Sequence, residues 1–286
     1  YEFTKVLPST SSQKEVYDTS AKHLVGQLMD GENGLVFAYG ITNSGKTYTI
    51  DGVPTERGIV HRALQDVIEK IADRKELSLT ISYMEIYNEK IFDLLEYMDD
   101  QMVLLQRKVT RKPLKILHDQ FKEVYVQNLK QVNFLFLHFF FRQMAHTKVH
   151  MESVSSRSHV VFTITLHKNK SRYAKLSIVD LAGAERVNRS GCTSGTQKQE
   201  LININKSLMN LGRCLEGLRH NQTHSTSRPI PFRDSLLTFL FKDSLLGDGE
   251  TVMIATANPH PNDYDETVHA MRYTSIASEI KILAKV

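Results

Sequence analysis

The chain has only two cysteines in 286 residues, Cys192 and Cys214, so no disulfide framework can hold it, and a reducing compartment is the natural setting. It also lacks a long apolar run. The most apolar stretch, Phe134 to Phe141, is broken by His138 and is far too short to span a bilayer. No Pro/Gly/Ser tract, low-complexity block or repeat at a solenoid period divides the chain, and with 41% hydrophobic residues it reads as one large domain. Neither sign of charge dominates: 36 Lys and Arg against 32 Asp and Glu give +4, too weak a balance to name an anionic partner by itself. The opening residues Tyr1 to Val6 read as a strand inside a domain rather than as a signal peptide. The expectation is a soluble protein of the cytosol or nucleus with no membrane partner.

What is present is chemistry for phosphate. Gly40-Ile41-Thr42-Asn43-Ser44-Gly45-Lys46-Thr47 fits G-x-x-x-x-G-K-[ST] in full. It follows Leu35 to Tyr39, a continuous apolar run suited to a strand buried on both faces. Strand, glycine loop and helix together aim several backbone N–H groups and a helix N-terminus at an anion. Lys46 is placed to reach the β- and γ-phosphates, and the Thr47 hydroxyl to ligate Mg²⁺. A glycine turn that binds nothing is the bland alternative.

Two further segments have the character of switches. Leu176 to Asp180 reads as a strand ending in an acid, followed by the small turn Leu181-Ala182-Gly183-Ala184-Glu185. Beside a phosphate loop, that acid can hold Mg²⁺ through water and the Gly183 N–H can sense the γ-phosphate. Ser155-Ser156-Arg157-Ser158-His159 leads into the apolar run from Val160 to Leu166. Three hydroxyls beside an arginine fit an ordinary polar loop as well as a mobile loop that binds Mg²⁺, positions water and offers a charged latch.

In this order the three segments resemble the P-loop, switch I and switch II of kinesins. Other stretches match the family pattern too: Tyr83 to Glu89 with Asp93-Leu94-Leu95, Asn203 to Leu208, Pro231 to Ser235 with Leu237-Thr238, Asn258-Pro259, and Asp265-Glu266-Thr267. The resemblance implies an α/β, three-layer P-loop NTPase fold, with a central, mostly parallel mixed sheet and helices on both faces. It implies a motor domain over residues 1–279 and the start of a neck linker over 280–286. The family's first strand and adenine-flanking Arg-x-Arg-Pro segment are expected ahead of Tyr1.

The resemblance also assigns roles. Gly40, Thr42, Asn43, Ser44, Gly45, Lys46 and Thr47 would cradle ATP or ADP, with Tyr48 against the adenine. Thr47, Ser156 and, through water, Asp180 would hold Mg²⁺, while Ser155 and Ser156 contact the metal and the attacking water. Arg157 and Glu185 would form a latch closing switch I on switch II, with Gly183 reporting the γ-phosphate.

Leu201, Ile204, Leu208, Leu211, Leu215 and Leu218 recur at three- and four-residue steps, as in an amphipathic helix. A core helix accounts for that stripe. It leaves unexplained the basic residues around its ends: Lys198, Lys206, Arg219, Arg228 and Arg233. In kinesins the corresponding helix and the loop after it dock on acidic tubulin, so the implied partner is the microtubule. Arg107, Lys108, Arg111 and Lys112 correspond to a second tubulin-contacting lobe or form a solvated loop. No nucleic-acid module is visible, and aromatics do not interleave with the basic residues.

The chain departs from the family pattern at Glu152 (usually Asn), Ala184 (usually Ser) and Leu236 (usually Lys), and Asn133 to Val149 is short and Phe-rich. Glu152 would place negative charge near the phosphates. Two readings follow: a microtubule-stimulated ATPase motor, or a catalytically weakened microtubule-binding scaffold. The Tyr1 to Val6 opening, Thr42-Asn43-Ser44 and Ser153-Val154 resemble the cytokinesis-associated mitotic branch. That branch implies a cytoskeletal and spindle location and a homodimer or higher assembly formed through regions outside this chain.

Overall fold

The computed structural model describes residues 1–96, 111–119, 123–133, 157–186 and 195–280, with the backbone alone for 195–201. The apolar run after Asn33 is strand β1 (Gly34–Tyr39), buried at every residue. It pairs in parallel with β10 (Ser171–Asp180) on one side and with β11 (Glu250–Ala255) on the other. The other side of the sheet is antiparallel: β9 (His159–Lys168) pairs with β10, and β4 (Leu77–Tyr87) with β9, β5 (Lys90–Asp93) and β8 (Val132–Asn133). The order is β11-β1-β10-β9-β4-β5.

The expected mixed sheet is therefore present, but parallel pairing is confined to the half that carries the phosphate loop. The reason is local. Asn169 and Lys170, at φ 52° and 67°, and Asn88 and Glu89, both at φ 53°, are two-residue turns in the left-handed region. Such turns fold β9 onto β10 and β4 onto β5 as hairpins.

Helices cover both faces. Helices α1 (Gln13–Ser20), α2 (Lys22–Asp30) and α4 (Ile59–Ile71) pack Tyr17, Leu24, Leu28, Ile59 and Leu64 into one core with Val36, Ile81, Phe162, Ile164 and Ile178. The opposite face carries α5 (Gly195–Thr223), α6 (Leu236–Leu240), α7 (Lys242–Leu245) and α8 (Tyr264–Ser278). There Leu35, Phe37, Val161 and Val179 meet Ile204, Leu208, Leu211 and Leu215. Alternation along β1 sends Val36 to one core and Leu35 and Phe37 to the other, as the two-residue period of a strand requires. The short helix α3 (Lys46–Ile50) continues the phosphate loop. The ribbons β2 (Gly52–Val53) with β3 (Glu56–Arg57), and β6 (Ile116–His118) with β7 (Val124–Val126), are separate hairpins.

Besides the mostly parallel sheet that was expected, two further expectations need correction. Tyr1 to Val6 is not a strand: Tyr1 and Val6 are exposed, and the segment is tied instead to α8, where Arg272 Nε donates to the Tyr1 hydroxyl at 2.8 Å and Ser278 Oγ donates to the Glu2 carbonyl at 3.1 Å. With both faces near solvent it gains no burial from pairing. The long helix starts at Gly195, ahead of the apolar stripe that marked it in the sequence. Phe134 to Val149 lies outside the described residues.

Arg111 has a structural role. It reaches the fully buried carboxylate of Glu85 on β4, and its guanidinium lies 4.5 Å from the centre of the Phe92 ring. Removing the cation strands a buried charge, which costs roughly 3 kcal/mol or more. Arg111→Ala is expected to lower the unfolding free energy by that order, read as a lower urea midpoint at unchanged slope, with Glu85→Gln in the same background restoring much of it. Equal midpoints for parent and Arg111→Ala would show that Glu85 finds other compensation.

Candidate active site

The phosphate loop joins β1 to α3. Gly45 at φ +98° and Asn43 at φ +62° curl it back on itself, a path that favours glycine at Gly45. The Ser44 hydroxyl pins the loop, donating to the Ile41 carbonyl at 2.7 Å and sharing a hydrogen bond with Thr256 Oγ1 at 2.6 Å just past β11. The Lys46 side chain is buried within the curl, with Nζ donating to the Ile41 carbonyl at 2.8 Å. Desolvation lowers its pKa, and the carboxylates of Asp180 and Glu185 oppose that shift.

Parallel pairing of Ala38 with Asp180 brings the end of β10 beside the loop. Thr47 Oγ1 donates to Asp180 Oδ2 at 2.5 Å. A hydroxyl and a carboxylate on adjoining elements are hard oxygen donors of the kind Mg²⁺ takes. The lysine and the curled backbone suit a polyphosphate, so the residues present fit both groups.

The turn after β10 crosses over the phosphate loop. The Ala184 N–H donates to the Gly40 carbonyl at 3.1 Å. Glu185 accepts from the Thr42 N–H at 2.9 Å and from the Thr42 hydroxyl at 2.6 Å, so both carboxylate oxygens are engaged by the loop. Gly183 sits where a Cβ would lie 2.3 Å from both Thr42 Oγ1 and Glu185 Oε2, so any side chain there would displace the Thr42–Glu185 contact. The expected partner of Glu185 was Arg157. Here the carboxylate is docked on Thr42, while Arg157 lines a small cleft with Asn88, Glu89, His159, Asn203 and Ser207. Ser155, Ser156 and Glu152 lie outside the described residues.

Tyr48 is 47% exposed, its hydroxyl donating to Glu56 Oε2 at 2.9 Å, so its ring is available to a flat ligand. Sequence reasoning missed two connections. Arg186 Nε donates at 2.8 Å to Glu266, a buried carboxylate on α8, which explains the Asp265-Glu266-Thr267 motif. His159, buried at the start of β9, bonds both Ala182 and Ser207. A histidine opening an apolar strand was the available signal.

The basic residues on the opposite side divide. Lys206, Arg228 and Arg233 are exposed. Arg219 pairs with Glu279 at 3.1 Å, and Arg233 lies 6.0 Å from the Phe239 ring centre. The Lys198 side chain, Arg107 and Lys108 lie outside the described residues. Arg213, not anticipated, shares the outward stripe of α5 with Lys206 and the 60%-exposed Met209, and pairs with Asp234 at 3.1 Å. Ser235 and Thr238 are both buried: Ser235 caps α6, its Oγ accepting from the Thr238 N–H at 3.3 Å, and Thr238 Oγ1 ties α6 to α5 by accepting from Asn210 Nδ2 at 2.8 Å. Leu236 packs on the core, with its N–H on Glu89 at 2.9 Å.

A phosphate loop, an acid at the end of the neighbouring parallel strand, and a glycine turn bonded to that loop define a switch-bearing P-loop nucleotide-binding protein. The chain belongs to the kinesin family: the kinesin motor domain model matches residues 1–280. It is 37% identical to kinesin-like protein KIP3 of Saccharomyces cerevisiae and 37% identical to kinesin-like protein KIF18A of Mus musculus, each match covering 98% of the chain. It spans about a third of these relatives, 35% and 32% of their lengths. A solved structure of a KIF14 dimer, in the two-heads-bound state with AMP-PNP and in complex with a microtubule, is 32% identical with a TM-score of 0.82, covering 98% of this chain and 80% of that one.

Burial holds the His159 imidazole neutral, its pKa pushed down to about 3 from an ordinary 6.5, with Lys46 adding to the shift. The unfolded chain takes up this proton more readily. The contribution is therefore complete above pH 6.5 and is lost as pH falls through 6.5 toward 3. His159→Gln is expected to flatten the fall in melting temperature between pH 7 and pH 5 relative to the parent. Parallel profiles would remove His159 from the pH dependence.

Proposed function

We propose that the chain is the ATP-hydrolysing motor part of a microtubule-based motor, with Mg²⁺ as cofactor. The carrying observation is the convergence of Lys46, Thr47, Asp180 and the Thr42–Glu185 contact on one curled loop. The relatives named above support it, since KIF14 is seen with AMP-PNP on a microtubule.

The loop N–H groups and Lys46 bind and orient the β- and γ-phosphates, and Tyr48 offers its exposed ring to the base. When bound, Mg²⁺ supplies charge neutralisation of the phosphate oxygens, held by Thr47, Ser156 and, through water, Asp180. Ser155 and Ser156 position the attacking water. Gly183 offers its N–H to the γ-phosphate, and Glu185 leaves Thr42 for Arg157 as the switches close. Phosphoryl transfer calls for this kind of positioning and charge stabilisation more than for covalent chemistry. Loss of the γ-phosphate contacts then releases the switches, coupling turnover to movement.

Lys206, Arg213, Arg228 and Arg233, with Arg219, form a basic face for acidic tubulin; the role given to Lys198 rests on the resemblance. Its contribution would weaken with salt. The resemblance at Thr42 to Ser44 supports a place in the spindle or in cytokinesis, with assembly through regions outside this chain.

Lys46→Ala and Thr47→Asn are each expected to cut ATP turnover at least about a hundredfold, because each removes a group aimed at transferring phosphate. Turnover matching the parent in either variant would place the site elsewhere. Arg157→Ala and Glu185→Ala are expected to keep nucleotide affinity within about threefold while losing stimulation by microtubules. Normal stimulation in both would remove the latch.

A further inference from the structure

We infer that His159 is a positioning residue that carries the state of the nucleotide switches to α5, through a hydrogen-bonded chain running from Ala182 to Ser207. The inference rests on the motor reading and assigns its coupling to one side chain.

The chain can be followed atom by atom. The Ala182 N–H donates to His159 Nδ1 at 3.0 Å. Nδ1 therefore carries no proton, and the neutral ring holds its proton on Nε2. Nε2 donates to Ser207 Oγ at 2.8 Å, and the Ser207 hydroxyl donates in turn to the Ile204 carbonyl at 2.8 Å. Each donor has one acceptor, so the direction of every bond is fixed.

The three anchors belong to three different parts of the proposed mechanism. His159 follows Arg157 by two residues and opens β9. Ala182 precedes Gly183, the residue facing the phosphate loop. Ser207 is buried on the inner side of α5, next to Lys206 on its exposed side. The imidazole is 3% exposed and Ser207 1%, so no water replaces a broken bond without cost. A planar ring with a nitrogen at each end cannot shift one contact and keep the other. If the Ala182–Gly183 turn moves relative to β9, the ring turns, and α5 must follow or leave the Nε2–H unpaired. A second position of α5, set by the turn, would make the helix the kind of bistable element that coupling between distant sites requires.

The test is the ratio of microtubule affinities measured with a non-hydrolysable ATP analogue and with ADP, in parent protein, Ser207→Ala, His159→Leu and His159→Gln. Ser207→Ala leaves the Ala182 bond and the phosphate loop intact. It is expected to keep basal ATPase within about twofold while the affinity ratio moves about tenfold toward one, the scale of one buried hydrogen bond. His159→Leu is expected to lose the ratio as well. His159→Gln, with a carbonyl for Ala182 and an amide for Ser207, is expected to recover most of it. Melting temperature is recorded alongside, because a merely structural contact lowers it without moving the ratio. Lower melting temperatures with a parental ratio in both Ser207→Ala and His159→Leu would overturn the inference. A parent whose microtubule affinity ignores the nucleotide would overturn the motor reading, and this inference with it.

Discussion

The site depends on one pairing, the parallel register of β1 with β10, which sets Ala38 opposite Asp180. Parallel strands deliver their C-terminal ends to the same edge of a sheet, and at that edge both chains turn into loops. The phosphate loop leaves β1 and the glycine turn leaves β10 only one strand apart. The Thr47–Asp180, Ala184–Gly40 and Glu185–Thr42 contacts all follow from that placement. A slip of one residue would turn Asp180 to the other face and dissolve the group.

The antiparallel half has a different task. Hairpins at Asn88-Glu89 and Asn169-Lys170 fold β4 onto β5 and β9 onto β10, and the start of β9 lies at the same edge. From there, contacts lead away from the site. Arg186 holds Glu266 at the start of α8. Tyr39, the last residue of β1, stacks on Tyr273 of α8 with ring centres 4.4 Å apart, and the Tyr273 hydroxyl donates to the Leu208 carbonyl of α5 at 3.0 Å. The strand behind the phosphate loop, the long basic-faced helix and the last helix thus share one buried joint.

Much of this was legible in the sequence where local chemistry dictates local shape. Gly40 to Thr47 announces its own turn, Leu35 to Tyr39 its burial, and Ile204 to Leu218 the inner face of α5, because glycine conformations and apolar periods are properties of short segments. Tyr1 to Val6 misled because a strand needs a neighbour, and no pattern within six residues supplies one. The antiparallel majority was missed because pairing direction is set by turns at Asn88 and Asn169 that look polar and ordinary. Pairings across long separations were also invisible: Glu185 on Thr42, Arg111 on Glu85 and His159 on Ser207 are decided by how the sheet stacks its strands. The roles given to Ser155 and Ser156 rest on the resemblance alone.

In the proposed function, nucleotide turnover at the Lys46–Thr47–Asp180 cluster and the basic face around α5 are two ends of one device. The most direct measurement is steady-state ATP turnover of the purified protein with and without microtubules, at low and at moderate salt. A many-fold stimulation that weakens as salt rises is expected. Binding to microtubules with no ATP turnover at either salt would contradict it and leave a microtubule-binding scaffold in its place.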